Sequence, residues 1–522
     1  MTSAQMRAAE HAAFAGGVQV EALMNEAGAG VAQAVSKFFQ KPGRCIVFAG
    51  KGHNAGDALF AAQCLQRSGW KIEVRLAFKE DDCSDLTRKK LGDLCRRSPE
   101  ILGAAASKTA NKDLVTTPVE LSPSATDQIA NTPNSTATEA CSVVEVPLVI
   151  LDGLLGVGGK PPLREPIRAA CRAINQLRIT NGAYVVAVDL PTGLDADSGK
   201  ADRDCVVADF TVTIAYAKPG LVADGAVNYV GRIEVVPLDE LRPPKTKPKE
   251  IIAAPIAFRA LLPRRKYNSY KNQFGRVGVV AGSKGFVGAA LMASQGALRA
   301  GAGLVEVFVP EEIYEIVAGA AFMEAMVKPV ASYRQLLKEK VDVWAVGPGL
   351  GKSRAAEMLE LVEKIKQPMV LDADGLNIVS QKISVLRRCK GKRLLTPHPG
   401  EMKRLFPDDQ QSRGKTATKF CGRFPVTLLL KGSRTIVAEG GRPLSYNTTG
   451  NPGMATGGMG DVLTGVCAGL LGQGLSPYDA ARVGAWLCGR AAEIAMFNGN
   501  QSEQSLLPRN VLQHLGDAFK EL

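Results

Sequence analysis

Short runs of apolar, largely β-branched residues recur along the first half of the chain, most of them closed by glycine, proline or aspartate. They are Cys45 to Gly50 (CIVFAG), Lys71 to Phe78 (KIEVRLAF), Pro147 to Asp152 (PLVILD), Ala183 to Leu190 (AYVVAVDL) and Phe210 to Ala215 (FTVTIA). Most are continuous rather than alternating in polarity, the pattern of strands covered on both faces. Between them, residues 57–68 and 165–177 carry apolar positions at helical spacing. Strands alternating with helices predict a doubly wound α/β domain, taken as residues 1–238. The opening MTSAQMRAAEHAAFAGG has the alanine-rich, charged pattern of a surface helix. The run DELRPPKTKPKE, residues 239–250, carries prolines and lysines without apolar periodicity and is read as a linker.

A second series of the same kind follows: Arg276 to Gly282, Leu304 to Pro310, Val341 to Gly347, Pro368 to Asp374, Arg393 to Pro397 and Val426 to Gly432. Residues 251–522 therefore form a second α/β domain. One stretch breaks the alternation. Residues 107–142 are crowded with Ser, Thr, Pro, Ala and Asn and hold too little apolar surface to offset their ordering entropy, so a disordered insertion is expected there.

A chain of 522 residues exceeds what one hydrophobic core supports, in keeping with two domains. The net charge of +13 favours anionic ligands, but the basic residues are scattered and no aromatic-interleaved basic stripe appears, so nucleotides suit it better than nucleic acid. Eleven cysteines show neither a CxxC pair nor a histidine cluster, and point to no zinc site or disulfide framework. No apolar run approaches the roughly 18 residues of a membrane span. A cytoplasmic homo-oligomer without membrane or nucleic-acid partners is the expectation.

The richest chemistry lies in GNPGMATGGMGDVL, Gly450 to Leu463. Gly457, Gly458 and Gly460 bare the backbone where a phosphate can approach, and the following helix N-terminus adds its free N–H groups. Asp461 stands there to take a proton, a combination suited to phosphoryl transfer. In the first domain KGHNAGD, Lys51 to Asp57, joins a strand end to a helix, while Asp152 and Asp189 close two further strands ahead of GLLGVGG and PTG. Ligands of open α/β sheets bind outside the carboxyl ends of strands. Asn54, Asp152 and Thr192 offer only hard oxygen donors, fit for an alkali or alkaline-earth cation rather than zinc.

The order GxGxNxGD, DGLLGxG, VDLPTGLDADSG resembles the NAD(P)H-hydrate epimerase family, whose domain is Rossmann-like. That resemblance implies potassium on Asn54, Asp152 and Thr192, and substrate contacts from His53, Asn54, Ala55, Gly56 and Asp57. It further implies contacts from Gly156, Val157, Gly158, Gly159, Lys160, Pro161, Pro162 and Asp189, with Asp189 catalytic and Lys79 a lesser candidate beside it. The family usually has paired asparagines and paired glycines where this chain has His53 with Asn54 and Ala55 with Gly56, and a glycine where it has Ala58. In the second half, AGSKGFVGAALMASQGALRAGAGLVEV, GPGLG, LDADGLN, TPHPGE, LLLKGSRTIV and the GMGD turn are together similar to the NAD(P)H-hydrate dehydratase family, which is ribokinase-like. This implies hydrate contacts from Ala289, Gly349, His398 and the catalytic Asp461. Lys431, Gly432, Ser433, Arg434, Thr435 and Gly460 would hold ADP or ATP with its Mg2+.

The resulting expectation is an isomerase and lyase in one chain that repairs hydrated nicotinamide nucleotides, NADHX and NADPHX. Two other readings stand beside it. A small-molecule kinase would use the same GMGD helix to make a stable phosphate ester. The first domain can instead be a nucleotide-binding module without catalysis, a reading motivated by His53, Ala55 and Ala58.

Overall fold

The computed structural model describes residues 1–97, 146–243, 246–321, 323–407 and 411–522. The insertion expected at 107–142 lies outside the described residues. The chain divides into two compact units between Pro243 and Pro244, within the stretch read as linker.

In the first unit six strands form one sheet: β1 (Arg44–Ala49), β2 (Lys71–Leu76), β3 (Leu148–Gly153), β4 (Tyr184–Val188), β5 (Phe210–Ile214) and β6 (Arg232–Val236). Their spatial order is β2-β1-β3-β4-β5-β6 and every pair is parallel. The order reverses between β1 and β3, which opens a crevice at their carboxyl ends. In register, Phe48 faces Asp152 and Ala49 faces Gly153, so the turn after β1 meets the loop after β3. The sixth strand was not anticipated, because Arg232 and Glu234 interrupt its apolar run.

Helix Val20–Phe38, also unanticipated, buries Leu23, Met24, Ala27, Val31 and Val35 along one stripe and packs against helix His53–Arg67. The opening helix, Ser3–Ala15, is present as expected. It is not a free surface helix, however: Ser3, Met6 and Ala13 are buried.

Among the described residues of the second unit there are ten strands: β7 (Glu250–Ile252), β8 (Arg276–Val280), β9 (Leu304–Pro310), β10 (Ala325–Val330), β11 (Val343–Val346), β12 (Met369–Leu371), β13 (Arg393–Leu395), β14 (Thr427–Leu430), β15 (Ile436–Glu439) and β16 (Leu444–Tyr446). They run β10-β9-β8-β11-β12-β13-β14-β15-β16-β7; the seven from β10 to β14 are parallel, and β15 is antiparallel to both neighbours. Here the order reverses between β8 and β11. Glu250, the last residue of the expected linker, already pairs with Leu444 at the sheet edge. The strand expected over Pro368 to Asp374 stops at Leu371, and Asp372 begins helix Ala373–Gln381 instead.

Two helices flank the second crevice, Val287–Arg299 and Met459–Gly472, and they meet main chain against main chain. A Cβ added to Gly465 would fall 1.9 Å from the Ala293 carbonyl, and one on Gly296 would fall 2.5 Å from that of Val462. The small residues that made this segment conspicuous in sequence are what permit the approach.

Candidate active sites

At the first crevice, Asp152 closes β3 with no measurable exposure. Its carboxylate accepts hydrogen bonds from the Thr192 backbone N–H (2.8 Å), the Thr192 hydroxyl (2.7 Å) and the Leu154 N–H (3.3 Å). These neutral donors hold its pKa down, but burial outweighs them and pushes it up to about 6. The Asn54 amide nitrogen is buried and unpartnered, and its Oδ1 lies 3.3 Å from where a Cβ on Gly156 would sit. Asn54 and Thr192 thus border the loop from Leu155 to Gly159, whose Leu155 N–H donates to Thr192 Oγ1 at 3.1 Å. One carboxylate among neutral oxygens, paired with no cationic side chain among the described residues, fits a monovalent ion.

Helix His53–Arg67 starts at His53, four residues earlier than the sequence pattern suggested, with Gly52 as a cap that offers no side-chain bond. His53, Asn54, Ala55, Gly56 and Asp57 therefore make up its first turn, a natural anion site. In the stretch from Gly156 to Pro162, Val157 packs on the cluster around Leu190 and Leu194, while Gly158, Lys160 and Pro162 are exposed.

Asp189 follows β4 with left-handed backbone, φ 67°. Its Oδ1 accepts from the Ile214 N–H (3.0 Å) and the Thr213 hydroxyl (3.3 Å), and pairs closely with the Lys218 ammonium. Lys218, at 1 % exposure, also donates to the Ile214 carbonyl at 3.0 Å. The lysine beside Asp189 is thus Lys218; Lys79 is exposed at the start of the turn Glu80–Asp82. Burial, with the negative charges of Asp189 and Glu10, pushes the Asp57 carboxyl well above the usual carboxylate range against the pull of Lys218.

At the second crevice the helix Met459–Gly472 is capped by Gly458, whose φ of 92° no side-chain-bearing residue adopts easily. Beneath it lies Asp372, 1 % exposed, which accepts from Lys431 Nζ (2.6 Å) and from the Thr464 hydroxyl (2.8 Å). Gly460 bares the backbone directly above: a Cβ there would sit 3.2 Å from Lys431 Nζ and 3.3 Å from Asp372 Oδ2. Burial and the neighbouring Asp372 charge raise the Asp461 carboxyl to about 7, with Lys431 opposing. Burial alone would favour a neutral Lys431, but Asp372 and Glu401 (3.9 Å away) outweigh it and hold the ammonium protonated.

Glu401 also anchors the proline-flanked loop. It accepts from the His398 N–H at 2.8 Å, while His398 Nδ1 accepts from the Gly400 N–H at 3.0 Å. His398 therefore caps helix Pro399–Leu405 and still leaves its ring half exposed. Gly349 meets the first loop at the β8/β11 reversal: Ser283 Oγ donates to its carbonyl at 2.7 Å, and a Cβ on Gly349 would come within 3.0 Å of Ala289 Cβ. In the turn from Lys431 to Thr435, Gly432 and Ser433 are exposed, whereas Arg434 is buried. That turn offers a ligand its backbone rather than the guanidinium.

The structure places Asp152 against Thr192 and Asn54 beside Gly156 at the first crevice, and Lys431 and Gly460 beside Asp372 at the second, while Lys79 is exposed and the Arg434 side chain is buried. Sequence reading missed Glu10, Lys218, Asp372 and Thr464, and passed over Glu401 within its motif. Lys218 and Thr464 sit in runs with no recognisable pattern, whereas a carboxylate at the end of β12, as Asp372 is, was a usable signal.

Two α/β units, each with carboxylates gathered at the point where its strand order reverses, define a two-site enzyme for small anionic molecules. Residues 20–220 match the family described as YjeF-related protein N-terminus, and residues 277–513 match NAD(P)H-hydrate dehydratase. The bifunctional NAD(P)H-hydrate repair enzyme Nnr of Moorella thermoacetica is 34% identical, covering 96% of this chain and 92% of that protein. That of Coxiella burnetii is 32% identical over 98% and 97% respectively. Among solved structures, the ADP/ATP-dependent NAD(P)H-hydrate dehydratase of Bacillus subtilis, co-crystallised with ATP/Mg2+, is 28% identical. It covers 52% of this chain and 98% of its own, with a TM-score of 0.47. The chain belongs to the bifunctional NAD(P)H-hydrate repair enzyme family.

Proposed function

We propose that the first unit interconverts the R and S forms of hydrated NADH and NADPH, and that the second dehydrates the S form at the expense of ADP or ATP. The observation that carries this reading is Asp461, a carboxyl raised to about 7 beside a bare glycine turn and the Lys431–Asp372 ion pair, in a chain similar to repair enzymes over nearly its whole length.

The hydroxyl on the reduced ring leaves poorly as hydroxide. Asp461 takes the hydroxyl proton as the oxygen attacks the terminal phosphorus, and the glycine-turn amides and Lys431 meet the charge on the transferred group. The ring nitrogen lone pair then expels phosphate, and loss of a proton from the adjacent carbon restores the double bond. The products are NAD(P)H, phosphate and the nucleotide shortened by one phosphate. Ala289, Gly349 and His398 would position the hydrate, and Lys431 to Thr435 with Gly460 the nucleotide. The described residues form no cluster of three or more His, Cys, Asp or Glu, so Mg2+ would be held chiefly by the nucleotide oxygens.

In the first unit Asp189 would exchange protons with the hydrate, seated on the first turn of helix His53–Arg67 and the loop from Gly156 to Pro162. Potassium on Asn54, Asp152 and Thr192 would supply positive charge that orients the substrate phosphates. The working form is proposed to be a cytoplasmic homo-oligomer.

Mixed-epimer NADH hydrate, incubated with ADP or ATP, with and without potassium, tests the scheme by return of the reduced dinucleotide absorbance. Complete recovery is expected. A plateau near half would remove the epimerase assignment, and a stable phosphorylated hydrate would mean a kinase instead.

A further inference from the structure

The helix Ser3–Ala15 is tied down where the first site is built. The Met1 nitrogen donates to the Ala217 carbonyl at 2.6 Å, one residue before Lys218. The Ser3 N–H and hydroxyl donate to the two oxygens of Asp197, at 2.7 and 2.6 Å. Asp197 belongs to the loop after β4 that begins with Asp189 and Thr192, and Lys218 follows β5. The helix therefore sits on the two loops that supply the catalytic pair.

Its packed stripe is Ser3, Met6 and Ala13, with exposures of 5 %, 2 % and 9 %. Successive positions of one helical face fall three or four residues apart, and Glu10 occupies the vacant place in this series. An acidic side chain on the packed face of an otherwise alanine-rich helix has a desolvation cost that an alanine would not. Among the described residues no hydrogen bond or ion pair holds its carboxyl. It lies within electrostatic reach of Asp189, Lys218, His53 and His11, and Asp57 feels its charge in turn.

We propose that Glu10 is the proton donor of the epimerase site, working opposite Asp189. The assignment rests on the epimerase reading above. As the bond from ring carbon to hydroxyl breaks, the Glu10 carboxylic acid protonates the departing oxygen, which leaves as water while the ring nitrogen lone pair forms a C=N+ bond. A water molecule then adds to the opposite face of that carbon, closes the nitrogen lone pair again and gives its proton to the Asp189 carboxylate. One proton has passed from Glu10 to Asp189, and the reverse conversion returns it. Burial and the Asp189 charge raise the Glu10 pKa against the pull of Lys218, His53 and His11, which suits a donor.

The test uses the full chain with mixed-epimer NADH hydrate and saturating ADP. The S form is consumed in a fast phase and the R form in a slow phase set by epimerisation. In Glu10→Gln the slow phase is expected to fall about 100-fold toward the enzyme-free rate, with KM for the R form little changed. The fast phase, which belongs to the second unit, reports that the chain is folded. The wild-type slow phase should also fall at high pH as Glu10 loses its proton; the residual rate of Glu10→Gln should lack that limb, and Glu10→Asp should restore it. A slow phase within threefold of wild type, or a high-pH limb that persists in Glu10→Gln, overturns the proposal alone. A wild-type slow phase no faster than the enzyme-free rate overturns the epimerase reading and the proposal with it.

Discussion

Replacing Asp461 by asparagine keeps the shape of the side chain and removes its charge, and it should stabilise the second unit while ending dehydration. The carboxyl sits at about 7 in the folded chain against 3.8 for the free group, a difference worth roughly 4 kcal/mol. The sign follows from the folded value being the higher one. Stability contributed by the neutral form is fully present below the unfolded pKa of 3.8 and is lost as pH rises, until the loss is complete above about 7. Between pH 5 and pH 8 the wild type should therefore forfeit about 2.5 kcal/mol that Asp461→Asn retains. Urea unfolding read by tryptophan fluorescence measures this. In a Trp70→Phe background only Trp344 and Trp486 remain, both at 1 % exposure in the second unit. The variant's advantage over wild type should grow by that amount across the interval, while nucleotide-dependent return of NADH disappears. An advantage equal at both pH values would show that Asp461 does not titrate there, and the base assignment would fail with it.

Asp372→Asn removes the charge that helps raise Asp461, so the rise of dehydration kcat/KM with pH should shift to lower pH, and the slackened Lys431 should raise nucleotide KM about tenfold. Asp152→Asn takes the only negative charge from the proposed potassium ligands, and a potassium titration of epimerisation should become flat. Lys218→Met leaves Asp189 buried without its cation, a loss of about 3–5 kcal/mol that thermal unfolding of the first unit should register. Gly458→Ala forces a side chain onto a φ of 92° and against Met292, for a loss of about 1–3 kcal/mol in stability together with slower turnover.

Most of the parallel sheet was legible because strands buried on both faces must be apolar along their length, as Val149, Ile150 and Leu151 are in β3. The β15–β16 hairpin escaped because its strands are only four and three residues long, and β6 because Arg232 and Glu234 look like loop residues until their neighbours are known. The three oxygen-bearing residues proposed to hold a cation were readable from the end of β3 and the turns that follow β1 and β4. The lysine that pairs with Asp189 was not. Lys218 reaches Asp189 only because β4 and β5 lie side by side, a pairing 29 residues apart in sequence that no local pattern records. Asp372 lay in plain view within LDADGLN, but its strand ends three residues before the expected Asp374, and only the end of β12 decides which aspartate of LDAD faces Lys431.

The contact of Gly465 with the Ala293 carbonyl has a mechanical outcome. Side chains between helices act as cushions that yield by changing rotamer, but here none intervenes, so the rod that bears Asp461 and the rod that bears Ala289 are welded near their midpoints. The gap between the ends of the two helices, where the hydrate is proposed to bind, is thereby fixed by main-chain packing rather than by side-chain choice.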